Sequence, residues 1–259
     1  MELIFVGTSD GIPLKDRHCS CYMLKCGGAV YFIDAGTSLY DAMRDHGVSA
    51  DGLRAVFTTH PHGDHVNGLI HTVAMLAWRK PELGFDVYLT RQELIDAMVA
   101  YTKATFHPDS GDAASGIKMH LASAGEVYRD GNISVTYYLN KHIKFENCSY
   151  SILVRELCEG GGSILFSGDL SQGLSAEDYP TAAYEGQDLM LCEMAHFETM
   201  RPLEYFKRSR ICALALTHVN RRALRQPDIE TLISELPYPT RVAADGDRVR
   251  VNKGEVQFL

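Results

Sequence analysis

An α/β fold is predicted for this 259-residue chain. Short apolar runs with β-branched and aromatic residues alternate with helix-length stretches along the whole sequence, the pattern of sheets covered by helices. The runs are bounded by Gly, Asn and Asp turn signals. Several also end in His, Asp or Glu, and α/β proteins gather their sites from the ends of neighbouring strands.

In chain order, residues 2–6 read as a strand, followed by the glycine-rich turn Gly7-Thr8-Ser9-Asp10-Gly11-Ile12-Pro13. This is not a phosphate-binding P-loop, because no Gly-Lys-Ser/Thr follows. Strands 21–25 and 29–33 make a hairpin through Gly27-Gly28. Asp34-Ala35-Gly36-Thr37 leads into a short helix over 38–45, where His46 serves the helix C-terminus rather than a metal. Strand 53–57 precedes a helix over 66–78 that carries His71, a surface or supporting residue, and is broken by Pro81. Strand 85–89 and a helix over 91–102 follow. The polar stretch 103–116, with His107, reads as a lid or substrate loop. Residues 127–128, the turn Asp130-Gly131, and strands 133–139, 148–154 and 163–166 come next, the last two joined through Gly160-Gly161-Gly162. Strand 189–192, a helix over 199–208, strand 211–216, a helix over 228–236 and strands 241–244 and 248–251 complete the chain.

The chemistry concentrates where strand 53–57 ends, in Thr58-Thr59-His60-Pro61-His62-Gly63-Asp64-His65. Neutral imidazole with carboxylate is the ligand set preferred by zinc and other borderline divalent ions. A solvated polar loop does not account for three histidines at this spacing. His60 and His62 alternate and reach one point; Asp64 and His65 open the next turn and reach a second. Downstream, strand ends deliver His142, Asp169, Glu193-Met194-Ala195-His196 and His218. Singly, each is as well read as a turn or cap residue. Together they complete two sites: His60, His62 and His142 at one, Asp64, His65 and His218 at the other. Asp169 bridges them, since a carboxylate has two oxygens. Cys19 and Cys21 form C-x-C, best read as two strand residues on one face rather than a soft-metal site.

The net charge of −8 argues against a nucleic-acid binder that relies on a general basic field. No apolar run of membrane-spanning length and no leader pattern is seen, so the expectation is a cytoplasmic protein without membrane contact. Seven scattered cysteines fit reduced thiols better than a disulfide framework.

The order H-x-H-x-D-H, then His, then Gly-Asp, then Thr-His resembles the metallo-β-lactamase superfamily over nearly the whole chain, and most closely its ribonuclease Z branch. Gly7 to Pro13 followed by Arg17 is similar to that branch's opening pattern. Leu216-Thr217-His218-Val219-Asn220-Arg221-Arg222 resembles its Leu-Thr-His-x-Ser-x-Arg stretch, and His196 with Thr199 resembles its His-Ser-Thr motif, whose histidine protonates the leaving group. The resemblance implies a single domain over 1–259. Its fold would be an αββα sandwich, two mixed β-sheets flanked by helices, holding two divalent metal ions at one edge. Zinc is the first expectation, with manganese and iron able to use the same donors. The RNA-gripping arm of that branch is inserted between the counterparts of His142 and Asp169, where this chain has room only for two strands and a glycine turn.

The implied function is a dinuclear-metal-dependent hydrolase, a phosphodiesterase on RNA ends or a small cyclic phosphodiester. Asp64 would orient the attacking water. His196 would be the general acid, with Glu193 a candidate to orient it. The alternative is an ester, lactone or thioester hydrolase, which has no need of an acid at His196. A homodimer is common in the resembling branch.

Overall fold

Two mixed sheets stack face to face in the computed structural model, which describes residues 1–79, 83–105, 116–144, 146–225 and 227–259. The first sheet contains β1 (Glu2–Gly7), β2 (Cys21–Cys26), β3 (Ala29–Ala35), β4 (Leu53–Phe57), β5 (Phe85–Leu89), β6 (Ile117–Leu121), β14 (Arg248–Asn252) and β15 (Glu255–Phe258). Its order is β15-β14-β1-β2-β3-β4-β5-β6, antiparallel up to β3 and parallel from β3 to β6. The second contains β7 (Gly125–Arg129), β8 (Ile133–Leu139), β9 (Tyr150–Glu156), β10 (Ser163–Phe166), β11 (Gln187–Glu193), β12 (Ile211–Thr217) and β13 (Thr240–Val242). Its order is β13-β12-β11-β10-β9-β8-β7, parallel from β13 to β10 and antiparallel beyond.

Both faces of each central strand are buried, which is why these strands read as near-continuous apolar runs. Alternate residues serve different cores. Tyr31 and Ile33 of β3 meet Ile152, Val154 and Phe166 between the sheets. Val30 and Phe32 of the same strand face the other way, toward Leu39, Leu69, Val73 and Met98. Those four come from α1 (Leu39–Asp45), α2 (Gly63–Arg79) and α3 (Gln92–Thr105). The outer face of the second sheet is covered by α4 (Leu203–Arg208), α5 (Arg221–Arg225) and α6 (Asp228–Ser234), through Phe206, Ala223, Ile229 and Leu232. The expected αββα sandwich is therefore present. No helix among the described residues is long and apolar enough to cross a membrane.

Some boundaries differ from expectation. Helix α2 begins at Gly63, three residues early, so Asp64 and His65 lie in its first turn, where an acidic side chain suits the helix dipole. The helix expected over 199–208 is confined to Leu203–Arg208, because Pro202 sits at its N-cap and the preceding residues form turns. Helix α3 runs to Thr105, so the expected loop does not start at 103; residues 106–115, including His107, lie outside the described residues. Strands β6 and β15 were not anticipated. His46 caps α1 and His71 is exposed on α2, as expected.

Candidate metal centre

The ends of β4, β8, β10 and β12 meet at one edge of the sandwich and, with the first turn of α2, bring seven His and Asp side chains into two groups. In the first, His60 Nε2 lies 3.0 Å from His62 Nδ1, and His142 Nε2 lies 3.3 Å from the same atom. Asp169 Oδ2 is 3.6 Å from His60 Nε2 and 3.8 Å from His142 Nε2. In the second, His65 Nε2 is 3.4 Å from Asp64 Oδ2 and 3.4 Å from Asp169 Oδ1, while His218 Nε2 is 3.4 Å from Asp169 Oδ2. Asp169 belongs to both groups, and within each group one donor atom per residue lies within 4.8 Å of all the others.

These spacings fit metal ions. Four ligands at about 2.0–2.1 Å around a tetrahedral ion stand roughly 3.4 Å apart, close to most of the separations above. The buried atoms His65 Nε2 and Asp169 Oδ1 also have no hydrogen-bond partner. A buried polar atom without a partner is rare and calls for an explanation, an ion being one. The arrangement is a dinuclear-type His/Asp site.

The second ring nitrogen of most of these histidines is engaged, which fixes tautomer and orientation. Nδ1 of His60 meets Thr59 Oγ1 at 3.0 Å, and Nδ1 of His142 meets the Leu170 carbonyl at 3.2 Å. Nδ1 of His218 meets Ser20 Oγ at 2.8 Å. His65 has the strongest support: its Nδ1 lies 2.8 Å from Asp34 Oδ2. Asp34 also accepts from the Thr59 amide at 2.7 Å and from the Thr59 hydroxyl. One carboxylate thus fixes both the loop that presents His60 and the ring of His65. Replacing Asp34 with Ala is expected to weaken metal binding about 10–100-fold, measured by competition with a chromophoric chelator.

The backbone carries strain here. Asp34 and His218 have φ of 56° and 49°, two of only three non-glycine residues with positive φ among those described. Such conformations cost about 1–3 kcal/mol each and persist where the surroundings dictate them. Gly168, next to Asp169, has φ of 60°, and a Cβ there would lie 2.5 Å from the Tyr150 carbonyl oxygen. A Gly168→Ala variant is expected to lose more than about 1 kcal/mol of stability, read from chemical denaturation.

Electrostatics follow burial and partners. Burial, reinforced by His65, pushes His60 well below the ordinary imidazole value; burial and His142 lower His62. Neutral imidazole is the form that ligates. Burial opposes the charge of Asp169, but His218, His65 and His60 outweigh it and hold the carboxyl well below the usual range. Burial would lower His65, yet Asp169 and Asp34 raise it.

His196 stands beside both groups. Its Nδ1 is 3.1 Å from Glu193 Oε1 and 3.7 Å from Asp169 Oδ2, and its ring stacks on that of His218 at 5.6 Å. Glu193 is buried and accepts from the Leu170, Ala195 and His196 amides, so its carboxylate is immobilised by backbone donors. Burial disfavours the imidazolium of His196, but the hydrogen bond and charge of Glu193 prevail and raise it to about 9.

A family model described as anti-Pycsar protein Apyc1 matches residues 1–199, more than half of the chain. The chain belongs to this family. The matched stretch contains every residue of the two groups except His218, which the fold delivers from β12. A ribonuclease Z of Microcystis aeruginosa is 28% identical over 144 residues, 55% of this chain and 44% of that protein. The match thus spans less than half the length of this curated relative. Human short-form tRNase Z superposes with a TM-score of 0.72 at 17% identity, covering 97% of this chain and 99% of its own. The metallo-β-lactamase fold protein YhfI of Bacillus subtilis gives 0.70 at 17% identity, covering 95% and 98%. These superpositions show the metallo-β-lactamase fold, and the sequence matches show ribonuclease Z-like homologues, as the motifs implied.

Every site residue expected from sequence converges at this edge. The expected Glu193–His196 pair is also formed. Cys19 and Cys21 enter no metal-binding group among the described residues; Cys21 packs in the core beneath the helices. Sequence reasoning missed Asp34, Thr59 and Ser20. Asp34 carries a usable signal, since it lies at the end of β3 as Asp169 follows β10, but the sequence reading takes it only as the start of the lead into α1.

Proposed function

We propose that this chain is a two-metal phosphodiesterase that opens the cyclic phosphodiester of a small nucleotide. The observation that carries the proposal is the pairing of two ligand groups on shared Asp169 with a Glu193-held His196 beside them. His60, His62, His142 and Asp169 would hold one ion, and Asp64, His65, His218 and Asp169 the other. Zinc is the proposed metal; manganese and iron accept the same donors. When bound, the ions supply Lewis-acid polarisation of the phosphoryl group and acidify water.

The chain's own residues do the rest. Asp64 orients the attacking water through its free carboxylate lone pairs. Glu193 Oε1 takes the Nδ1–H of His196, which leaves Nε2–H to protonate the departing ribose oxygen as the P–O bond breaks. Alkoxide is a poor leaving group, so this proton transfer matters; a thioester, which releases a thiolate, places no such demand. The held His196–Glu193 pair therefore suits a reaction that expels an alkoxide, as the opening of a cyclic phosphodiester does.

A small substrate is supported by three features. The stretch between His142 and Asp169 is taken up by β9 and β10 and their connections, where an RNA-gripping arm would insert. The chain carries a net charge of −8, which disfavours RNA. Membership of the anti-Pycsar family points to cyclic nucleotide degradation. A cytoplasmic setting fits seven cysteines that are all unpaired.

The test is a substrate panel with metal-loaded protein: 3′,5′-cyclic nucleotides, a precursor tRNA, and p-nitrophenyl esters with lactones. Turnover of cyclic nucleotides well above the rest is expected. Esterase or lactonase turnover that exceeds that of every cyclic nucleotide would overturn the reading.

A further inference from the structure

We infer that Asp178, with Asn140, is a positioning residue that sets the distance between His142 and Asp169 and so governs binding of one of the two metal ions. The inference rests on the reading of His142 and Asp169 as metal ligands. Those two side chains come from different loops: Asn140-Lys141-His142 leaves β8, and Ser167 to Ser171 leaves β10. Strand β9 lies between β8 and β10, so no sheet hydrogen bond joins these two exits.

Asp178 lies further along the connection that leaves β10, seven residues past Ser171, and ties the start of that connection to the β8 exit. It is buried at 1% exposure. Its Oδ1 accepts the Lys141 amide at 2.7 Å, and its Oδ2 accepts the Ser171 amide at 2.6 Å. Asn140, 3% exposed, makes the complementary ties: its Nδ2 donates to the carbonyls of Asp169 at 3.0 Å and Ser167 at 3.3 Å, while its Oδ1 accepts the His142 amide at 3.3 Å. His142 adds a third tie through Nδ1 to the Leu170 carbonyl.

The chemistry of the clamp requires a carboxylate at 178. Two amide donors arrive from two loops on two different oxygens. A carboxamide offers one oxygen and one NH₂, so one loop would face a donor with a donor and be released. Among the described residues no cation pairs with Asp178. A buried carboxylate that only bridges backbone amides is a costly way to fasten a loop. That cost is offset if the fixed His142–Asp169 spacing, and the nearby cations it admits, depend on it.

The experiment is metal titration of chelated protein against a chromophoric chelator, with ions per chain counted by elemental analysis and folding checked by circular dichroism. It compares wild type, Asp178→Asn and Asn140→Asp; the last keeps the acceptor for the His142 amide but removes both donors to the β10 loop. Wild type should bind two ions. Each variant should keep one ion at wild-type affinity and hold the second about 10–100-fold more weakly, with cyclic-nucleotide turnover restored as metal is raised. Two ions at unchanged affinity in both variants would overturn the inference while leaving the proposed function standing. Should Asp178→Asn fail to fold, Asn140→Asp decides on the same two outcomes. A wild type that binds no metal would instead overturn the reading of the site, and the inference with it.

Discussion

Asp169→Asn is expected to abolish turnover while leaving the sandwich folded. Asp169 is the one side chain common to both ligand groups, and it is held among His60, His65, His142 and His218. The amide preserves volume but removes the charge and one of two acceptor oxygens, so the two groups no longer share an anionic ligand. Ions per chain should fall from two to below one. Loss of several kcal/mol of transition-state charge stabilisation corresponds to a drop on the order of 10³-fold or more in kcat/KM. Steady-state kinetics beside elemental analysis would show it, with thermal unfolding as the control for folding. Two ions per chain and turnover within tenfold of wild type would exclude Asp169 as the shared ligand.

The second large effect is expected at His196. His196→Ala should leave two ions bound, since His196 lies outside both ligand groups. Turnover of a cyclic nucleotide should fall about 10²–10⁴-fold, the usual contribution of a general acid. The diagnostic is leaving-group dependence. A p-nitrophenolate departs with little need of a proton, so bis-p-nitrophenyl phosphate should lose only about tenfold in the same variant. An equal loss on both substrates would mean that His196 acts by supporting the ligands through its contacts with Asp169 and the His218 ring.

Much of this centre was legible in the sequence because its ligands obey local rules. Three histidines and an aspartate fall within six residues after β4, and His142, Asp169 and His218 each follow a strand. The supporting residues were not legible, because their partners are far away in the chain. Ser20 reaches His218, Asp34 reaches His65, and Asp178 reaches Lys141, each across a fold that must form first. The Glu193–His196 pair was ambiguous for a local reason. Three residues apart on a continuing strand they would point to opposite faces, but β11 stops at Glu193 and the chain turns back on the carboxylate. In the fold, β6 and β15 escaped notice because they are sheet edges. Ile117–Leu121 and Glu255–Phe258 alternate apolar with polar residues over a few positions and gain their structure by pairing with β5 and β14.

The most direct test of the central claim is activity during metal add-back. Chelated protein is titrated with zinc, and in parallel with manganese, while hydrolysis of a 3′,5′-cyclic nucleotide is followed. Two-metal phosphodiester chemistry predicts no turnover without metal and a rise that saturates at two ions per chain. Turnover that survives chelation, or two bound ions with no cleavage of any cyclic nucleotide, would contradict it.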